Sequence, residues 1–121
     1  MECTRELDGR FLQLRGESRK DGAVLNRAVE FITFDSRAEK YICKRMWSYG
    51  FIENGEGGWE DNDTLMFQIR FDNQPAEFQG TLWKSFIRRH SNDEISHGLY
   101  TAKEGGQYRL YGETRQSRVK T

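Results

Sequence analysis

The sequence predicts an all-β chain, an antiparallel up-and-down meander of about nine strands curled into a small barrel. Three observations carry this expectation. Turn signals recur along the whole chain: Asp8-Gly9, Lys20-Asp21-Gly22, Asp35-Ser36-Arg37, Ser48-Tyr49-Gly50, Asp61-Asn62-Asp63, Asp72-Asn73-Gln74-Pro75, Ser91-Asn92-Asp93 and Glu104-Gly105-Gly106. They supply Gly for positive φ, or Asp, Asn and Ser that hydrogen-bond their own backbone, as tight hairpins require. Helical periodicity is almost absent, because turn residues or dense β-branched and aromatic content interrupt every apolar 3, 4, 7 pattern within about ten residues. Finally, 8 Phe, 5 Tyr and 3 Trp in 121 residues supply the bulky side chains that suit a pleated, half-buried surface.

Between the turns lie nine candidate strands: Glu2 to Leu7, Arg10 to Ser18, Val24 to Phe34, Lys40 to Ser48, Phe51 to Trp59, Thr64 to Phe71, Glu77 to Arg89, Ile95 to Lys103 and Gln107 to Val119. The sixth is the clearest. Leu65, Phe67, Ile69 and Phe71 alternate with Thr64, Met66, Gln68 and Arg70, the pattern of an antiparallel strand with one buried face. Phe78, Leu82 and Phe86 share a face of the seventh, and Tyr108 and Leu110 a face of the ninth. The third and fourth are apolar on both faces: Val29 and Phe31 oppose Ala28, Ile32 and Phe34, while Tyr41, Cys43 and Trp47 oppose Ile42 and Met46. Asn54-Gly55 is a competing hairpin signal inside the fifth. Short connections favour sequential antiparallel pairing, since parallel neighbours need crossovers of a dozen or more residues. Nine twisted strands must curl, and barrels of about eight strands are filled by side chains or hold one small ligand.

Size and charge narrow the function. The chain fits a single domain, 1–121, and its mean hydropathy of −0.89 is offset by the aromatic content, so a packed core is expected. No apolar run approaches the roughly 20 residues of a membrane helix, and Met1-Glu2-Cys3-Thr4-Arg5 lacks the layout of a signal peptide, which leads to the expectation of a cytoplasmic protein without a membrane partner. Lys and Arg number 19 against 19 Asp and Glu, and a formal charge of zero argues against nucleic acid as a partner, including at the basic tail Arg115 to Lys120. Cys3 and Cys43 are too far apart for a metal knuckle and are expected to be reduced. Asn62-Asp63-Thr64 matches a glycosylation sequon but reads as a turn.

The order of short motifs resembles a bacterial family of lipocalin-like, calycin-type β-barrels, a domain of unknown function. The resemblance rests on Arg10-Phe11-Leu12, Phe34-Asp35, Lys40-Tyr41, Ser48-Tyr49-Gly50, Glu56-Gly57-Gly58-Trp59, Asp63-Thr64-Leu65 and the closing Tyr108-Arg109-Leu110-Tyr111-Gly112. It spans nearly the whole chain and implies a small lipocalin-like barrel, while saying almost nothing of activity. Family members begin with a further Gly-x-Trp segment, and this chain starts after that point. The resemblance therefore implies either a misplaced start or a shortened barrel whose edge is open or covered by another subunit. A related haem-binding barrel class uses an N-terminal Gly-x-Trp-x-Gly-x-Gly motif that is not present here, so no haem or other cofactor is expected.

Chemical signatures are sparse. There is no P-loop, dinucleotide fingerprint, HExxH, GxSxG or zinc spacing, so a non-enzymatic module is the leading expectation. His90 sits in a turn and reads as solvated. His97 shares a side with Ile95 and Leu99; facing inward, it would be a buried polar group in need of a partner, structural or functional. Cys43, Arg45 and Trp47 share a face with Tyr41, which makes Arg45 either a surface arginine stacked on aromatics, the favoured reading, or a lone cavity charge. Arg109 and Tyr111 resemble the Arg-x-Tyr pair with which fatty-acid-binding proteins hold a carboxylate, although the apolar Tyr108 and Leu110 would turn them outward. Trp59 and Trp83 read as barrel packing, and Glu56 as part of a glycine-rich bend. The candidate ligand-binding residues are thus Arg45, Trp47, His97, Arg109 and Tyr111. Their expected ligand is a small hydrophobic or amphipathic molecule. The alternatives are a homo-oligomerising interaction module, or a barrel enzyme of cyclase or isomerase type using His97, Arg45 or a buried carboxylate.

Overall fold

The structure, a computed structural model, describes residues 1–7, 9–73 and 76–118. Asp8, Gln74 and Pro75, which belong to two expected turns, and Val119 and Lys120 of the expected last strand and tail lie outside the described residues. Among the described residues there are nine strands: β1 (Glu2–Glu6), β2 (Phe11–Lys20), β3 (Ala23–Asp35), β4 (Lys40–Trp47), β5 (Ile52–Trp59), β6 (Thr64–Phe71), β7 (Thr81–Ser91), β8 (Glu94–Lys103) and β9 (Arg109–Ser117). They pair in sequence order, each antiparallel to the next. The result is an open, strongly curled half-barrel with almost no helix; one 3-10 turn, Ala76–Phe78, stands where the seventh strand was expected to begin.

Local chemistry explains the connections. Asp21 and Gly22 form a two-residue hairpin with φ of 53° and 80°, the left-handed pair that matches the twist of the flanking strands. Asp61 Oδ1 accepts from the backbone N–H groups of Asp63 and Thr64, both at 2.8 Å, and so closes the β5–β6 turn. The Asn54-Gly55 turn is not taken, because Gly55 lies inside β5 between Cys43 and Ile69 on the concave face. A Cβ there would come within 2.6 Å of Cys43 Sγ and 2.7 Å of Ile69 Cδ1, so the glycine makes room for its neighbours' side chains.

Register aligns the concave face in rows. One row runs Ile32, Cys43, Gly55, Ile69 and Trp83. The core there is Ile32, Cys43, Leu65 and Phe67, with Leu12, Leu14, Tyr41, Ile69 and Ile87 packed against it. On β7 the alternation differs from the expected Phe78, Leu82, Phe86 face. Trp83, Ser85 and Ile87 point inward, Leu82 is exposed, and Phe86 is fully buried on the convex side. Gly98 permits that burial: a Cβ there would stand 2.4 Å from the Phe86 ring, which Tyr100 and the Arg88 guanidinium flank.

β1 and β9 are the two edges and share no ladder, although the curl brings them close. The terminal ammonium of Met1 donates to Ser117 O at 3.0 Å, and Gln116 of β9 lies over Gly16 of β2. Among the described residues no helix is long and apolar enough to cross a membrane, and no group of three His, Cys, Asp or Glu is placed to hold a metal ion.

Candidate ligand site in the concave interior

The strand register sets three charges side by side. Glu30 on β3 is opposite Arg45 on β4, and Arg45 is opposite Glu53 on β5, all three on the concave face and at most 6% exposed. Arg45 Nη2 donates to Glu30 Oε1 at 2.9 Å, and Arg45 Nη1 reaches across the interior to His97 Nδ1 on β8 at 2.6 Å. A guanidinium has only donors, so His97 Nδ1 accepts and the ring proton sits on Nε2. Glu53 Oε1 accepts instead from the Trp47 indole N–H at 2.7 Å.

Burial dominates the titration of these groups. It holds Glu30 and Glu53 above the usual carboxylate range, against the opposing pull of Arg45. It holds His97 well below its ordinary value, and the adjacent Arg45 charge pushes in the same direction. Burial likewise pushes the Cys43 thiol up, with Glu30 adding to the effect. Cys3 and Cys43 are both free thiols.

Polar capacity is left over. Glu30 Oε2, Arg45 Nε, Glu53 Oε2, His97 Nε2, Ser85 Oγ and Trp83 Nε1 are buried without a protein partner among the described residues. An unsatisfied buried donor or acceptor costs about 1–3 kcal/mol, so these six atoms set the charged interior apart from the apolar core.

Beyond Glu53 the interior becomes aromatic. Trp47 stacks on Tyr49 with centroids 5.7 Å apart; Tyr49 meets Phe51 edge-on at 5.3 Å, Phe51 meets Phe71 at 6.1 Å and Phe71 meets Trp83 at 5.6 Å. Trp83 in turn contacts Tyr111 at 5.1 Å and Phe78 at 5.6 Å. These rings and Glu53 enclose a pocket of about 140 Å³. A smaller cleft of about 40 Å³ opens at the β2–β9 seam and reaches Glu30, Arg45 and His97.

The structure brings Arg45, Trp47 and His97 together and adds Tyr111 at the rim. Arg45 is not the surface arginine that was favoured: its guanidinium stacks on Trp47 at 5.1 Å but is buried, and it is paired rather than alone. Tyr111 is 61% exposed, largely turned outward as expected, yet its ring still reaches the pocket rim. The register shifts between Leu99 and Tyr100, which pair with Gly112 and Leu110, and the extra residue, Tyr111, meets Trp83 while Leu110 is exposed. Arg109 is exposed and lines an open cleft beside Trp83 and Tyr111, apart from the buried charges. Trp83 is buried but lines the aromatic pocket rather than serving as packing alone, whereas Trp59 is 55% exposed at the opposite end and does not pack inside as expected. Sequence reasoning did not single out Glu30 or Glu53. Their signal was parity: Glu30 shares a face with Ala28, Ile32 and Phe34, where a lone acid calls for a partner.

Fold and site together define an open antiparallel half-barrel with a charged, aromatic-ended interior. No protein-family model, curated protein or solved structure matches the chain.

Proposed function

We propose that this protein is a non-enzymatic binding module, lipocalin-like in layout, that takes a small amphipathic molecule into the aromatic end of its interior. One observation carries the reading: a ring-lined pocket behind whose walls a carboxylate oxygen, Glu53 Oε2, and an indole N–H, Trp83 Nε1, lie buried without a protein partner among the described residues. Apolar walls with a few convergent polar groups are the usual composition of a ligand pocket. A dry cavity of about 150 Å³ takes one benzene, so a pocket of about 140 Å³ suits a ligand, or a ligand moiety, of that size. Binding is favoured over catalysis because Arg45 ties up one atom each of Glu30 and His97, and among the described residues no carboxylate or histidine besides Glu53 lines the aromatic pocket. A cytoplasmic setting accords with two free thiols.

The test is a fragment titration of the isotopically labelled protein. Saturable shifts of the Trp47 and Trp83 indole N–H resonances, with that of the distant Trp59 unmoved, are the expected result. A diverse set of benzene-sized neutral, cationic and anionic fragments that leaves both resonances unmoved overturns the reading.

A second reading has its own support. β1 and β9 are both unpaired edges, and an exposed edge is a template for pairing with another chain, so we also infer that the half-barrel self-associates through them. Light scattering across a hundredfold concentration range tests this, and a constant monomer mass refutes it.

A further inference from the structure

The aromatic pocket has a charge preference. We propose that its ligand is an organic cation, an alkylated ammonium group boxed by the rings and facing the Glu53 carboxylate. This rests on the binding reading above and names its ligand class.

Three observations converge on it. First, the interior holds one guanidinium against two carboxylates, and Arg45 directs its salt bridge to Glu30 rather than Glu53. Glu53 has no ion pair within 4.0 Å among the described residues, and its Oε2 is unpartnered at 1% exposure. A cation in the pocket supplies the missing countercharge. Second, the surrounding walls are aromatic: Trp47, Tyr49, Phe51, Phe71, Trp83 and Tyr111 present π-systems whose faces attract positive charge and whose edges do not. The protein already uses this attraction on the buried side of the box, where the Arg45 guanidinium stacks on Trp47. Third, Trp83 Nε1, a donor without a protein partner among the described residues, is buried behind the same wall, and a rotation of the indole that uncovers it would let it donate to an acceptor beside the cationic head, such as a hydroxyl or ether oxygen.

An anion is disfavoured on the same grounds. It would enter beside an unpaired carboxylate and against aromatic faces, with Arg45 already committed to Glu30 and His97. A neutral molecule of the same shape gains the apolar contact and the Trp83 hydrogen bond but leaves Glu53 uncompensated. Burial also raises the Glu53 carboxyl above its ordinary value, with Glu30 adding to the rise, against Arg45 and the Trp47 hydrogen bond. A cation beside it favours the ionised form, so binding should strengthen as pH rises.

The experiment titrates choline, its uncharged isostere 3,3-dimethyl-1-butanol and benzoate into the whole chain by calorimetry and NMR. Expected are choline binding at least tenfold tighter than the isostere, no benzoate binding, and loss of at least tenfold in choline affinity in Glu53→Gln with the isostere unchanged. A second variant guards against a folding defect: Tyr49→Leu, at a residue 58% exposed, should weaken choline by about two- to fivefold and the isostere by less. If the isostere or benzoate binds as well as choline, or if Glu53→Gln folds and binds choline undiminished, the cation assignment is overturned while the pocket remains a binding site. If none of the three probes binds, the cation assignment also fails, and the fragment titration above decides separately whether the pocket binds anything.

Discussion

The two ends of the concave interior are built from the same nine strands and differ in kind. At one end Leu12, Ile32, Leu65 and Ile87 pack around Phe67 with no charged side chain among them, and the rings of Phe34, Tyr41 and Trp59 continue outward to solvent. At the other, Glu30, Arg45, Glu53 and His97 are buried behind a box of aromatic rings. The apolar end follows the rule that buried area stabilises, at roughly 25 cal/mol per Å². The charged end works against it, because each ion loses hydration worth several kcal/mol and the pairing only partly repays this. A fold needs the first end. The second is a structural expense, and its cost is the argument that it serves recognition.

The largest expected effect breaks the charged end at its hub. Arg45→Met keeps an unbranched apolar stem but leaves Glu30 without a countercharge and His97 Nδ1 without a donor. Removing one partner of a buried pair costs about 3–5 kcal/mol, which urea unfolding will show as a lowered midpoint. Adding Glu30→Leu should recover much of that loss, since replacing both partners by apolar groups is often neutral or stabilising. An Arg45→Met protein as stable as its parent would mean that the cluster is solvated, and the contrast between the two ends would collapse.

A smaller effect is expected where the ends meet. Gly55→Ala puts a methyl against Cys43 Sγ and Ile69 Cδ1, two residues to the apolar side of the Arg45–Glu53 row. Overpacking of this kind costs about 1–3 kcal/mol. Pairing Gly55→Ala with Ile69→Val should return part of it, as a thermal melt of the single and double variants can show.

The contrast between the ends also follows how each was written in the sequence. The alternation of Leu65, Phe67, Ile69 and Phe71 and the Asp21-Gly22 turn are local signals, and they gave nine strands in the right order. The charged end is non-local. Glu30 and Arg45 each stand as one charge on an otherwise apolar face, and only the β3–β4 register turns two oddities into a pair. Glu53 was masked by the competing Asn54-Gly55 turn beside it. Tyr49 and Phe51 belong to the β4–β5 connection; Tyr49 reads as a turn residue and Phe51 as the start of the fifth strand, and neither position signals the pocket wall they form. Tyr111 depends on a one-residue register shift in the β8–β9 ladder, which leaves no mark in periodicity.

The ends should finally separate by pH, since only one of them titrates. His97 is neutral when folded, held well below its ordinary 6.5 by burial and by Arg45, whereas in the unfolded chain it takes a proton near that value. Below about pH 6.5 the unfolded state therefore binds more protons, and stability falls as pH falls. Glu30 and Glu53 act in the opposite sense. Burial raises them above 4.5, so the folded state keeps protons the unfolded chain has lost, and their contribution is lost as pH rises through the raised values. Removing the histidine isolates its limb: His97→Gln should reduce the stability lost between pH 6.5 and 5.5 by up to about 1.4 kcal/mol, the limit for one proton over one pH unit. Ile32→Val, at the apolar end, should lower stability by the same amount at both pH values. A His97→Gln protein whose loss over that interval equals the parent's would show that His97 is protonated inside the fold, and that Arg45 does not donate to it.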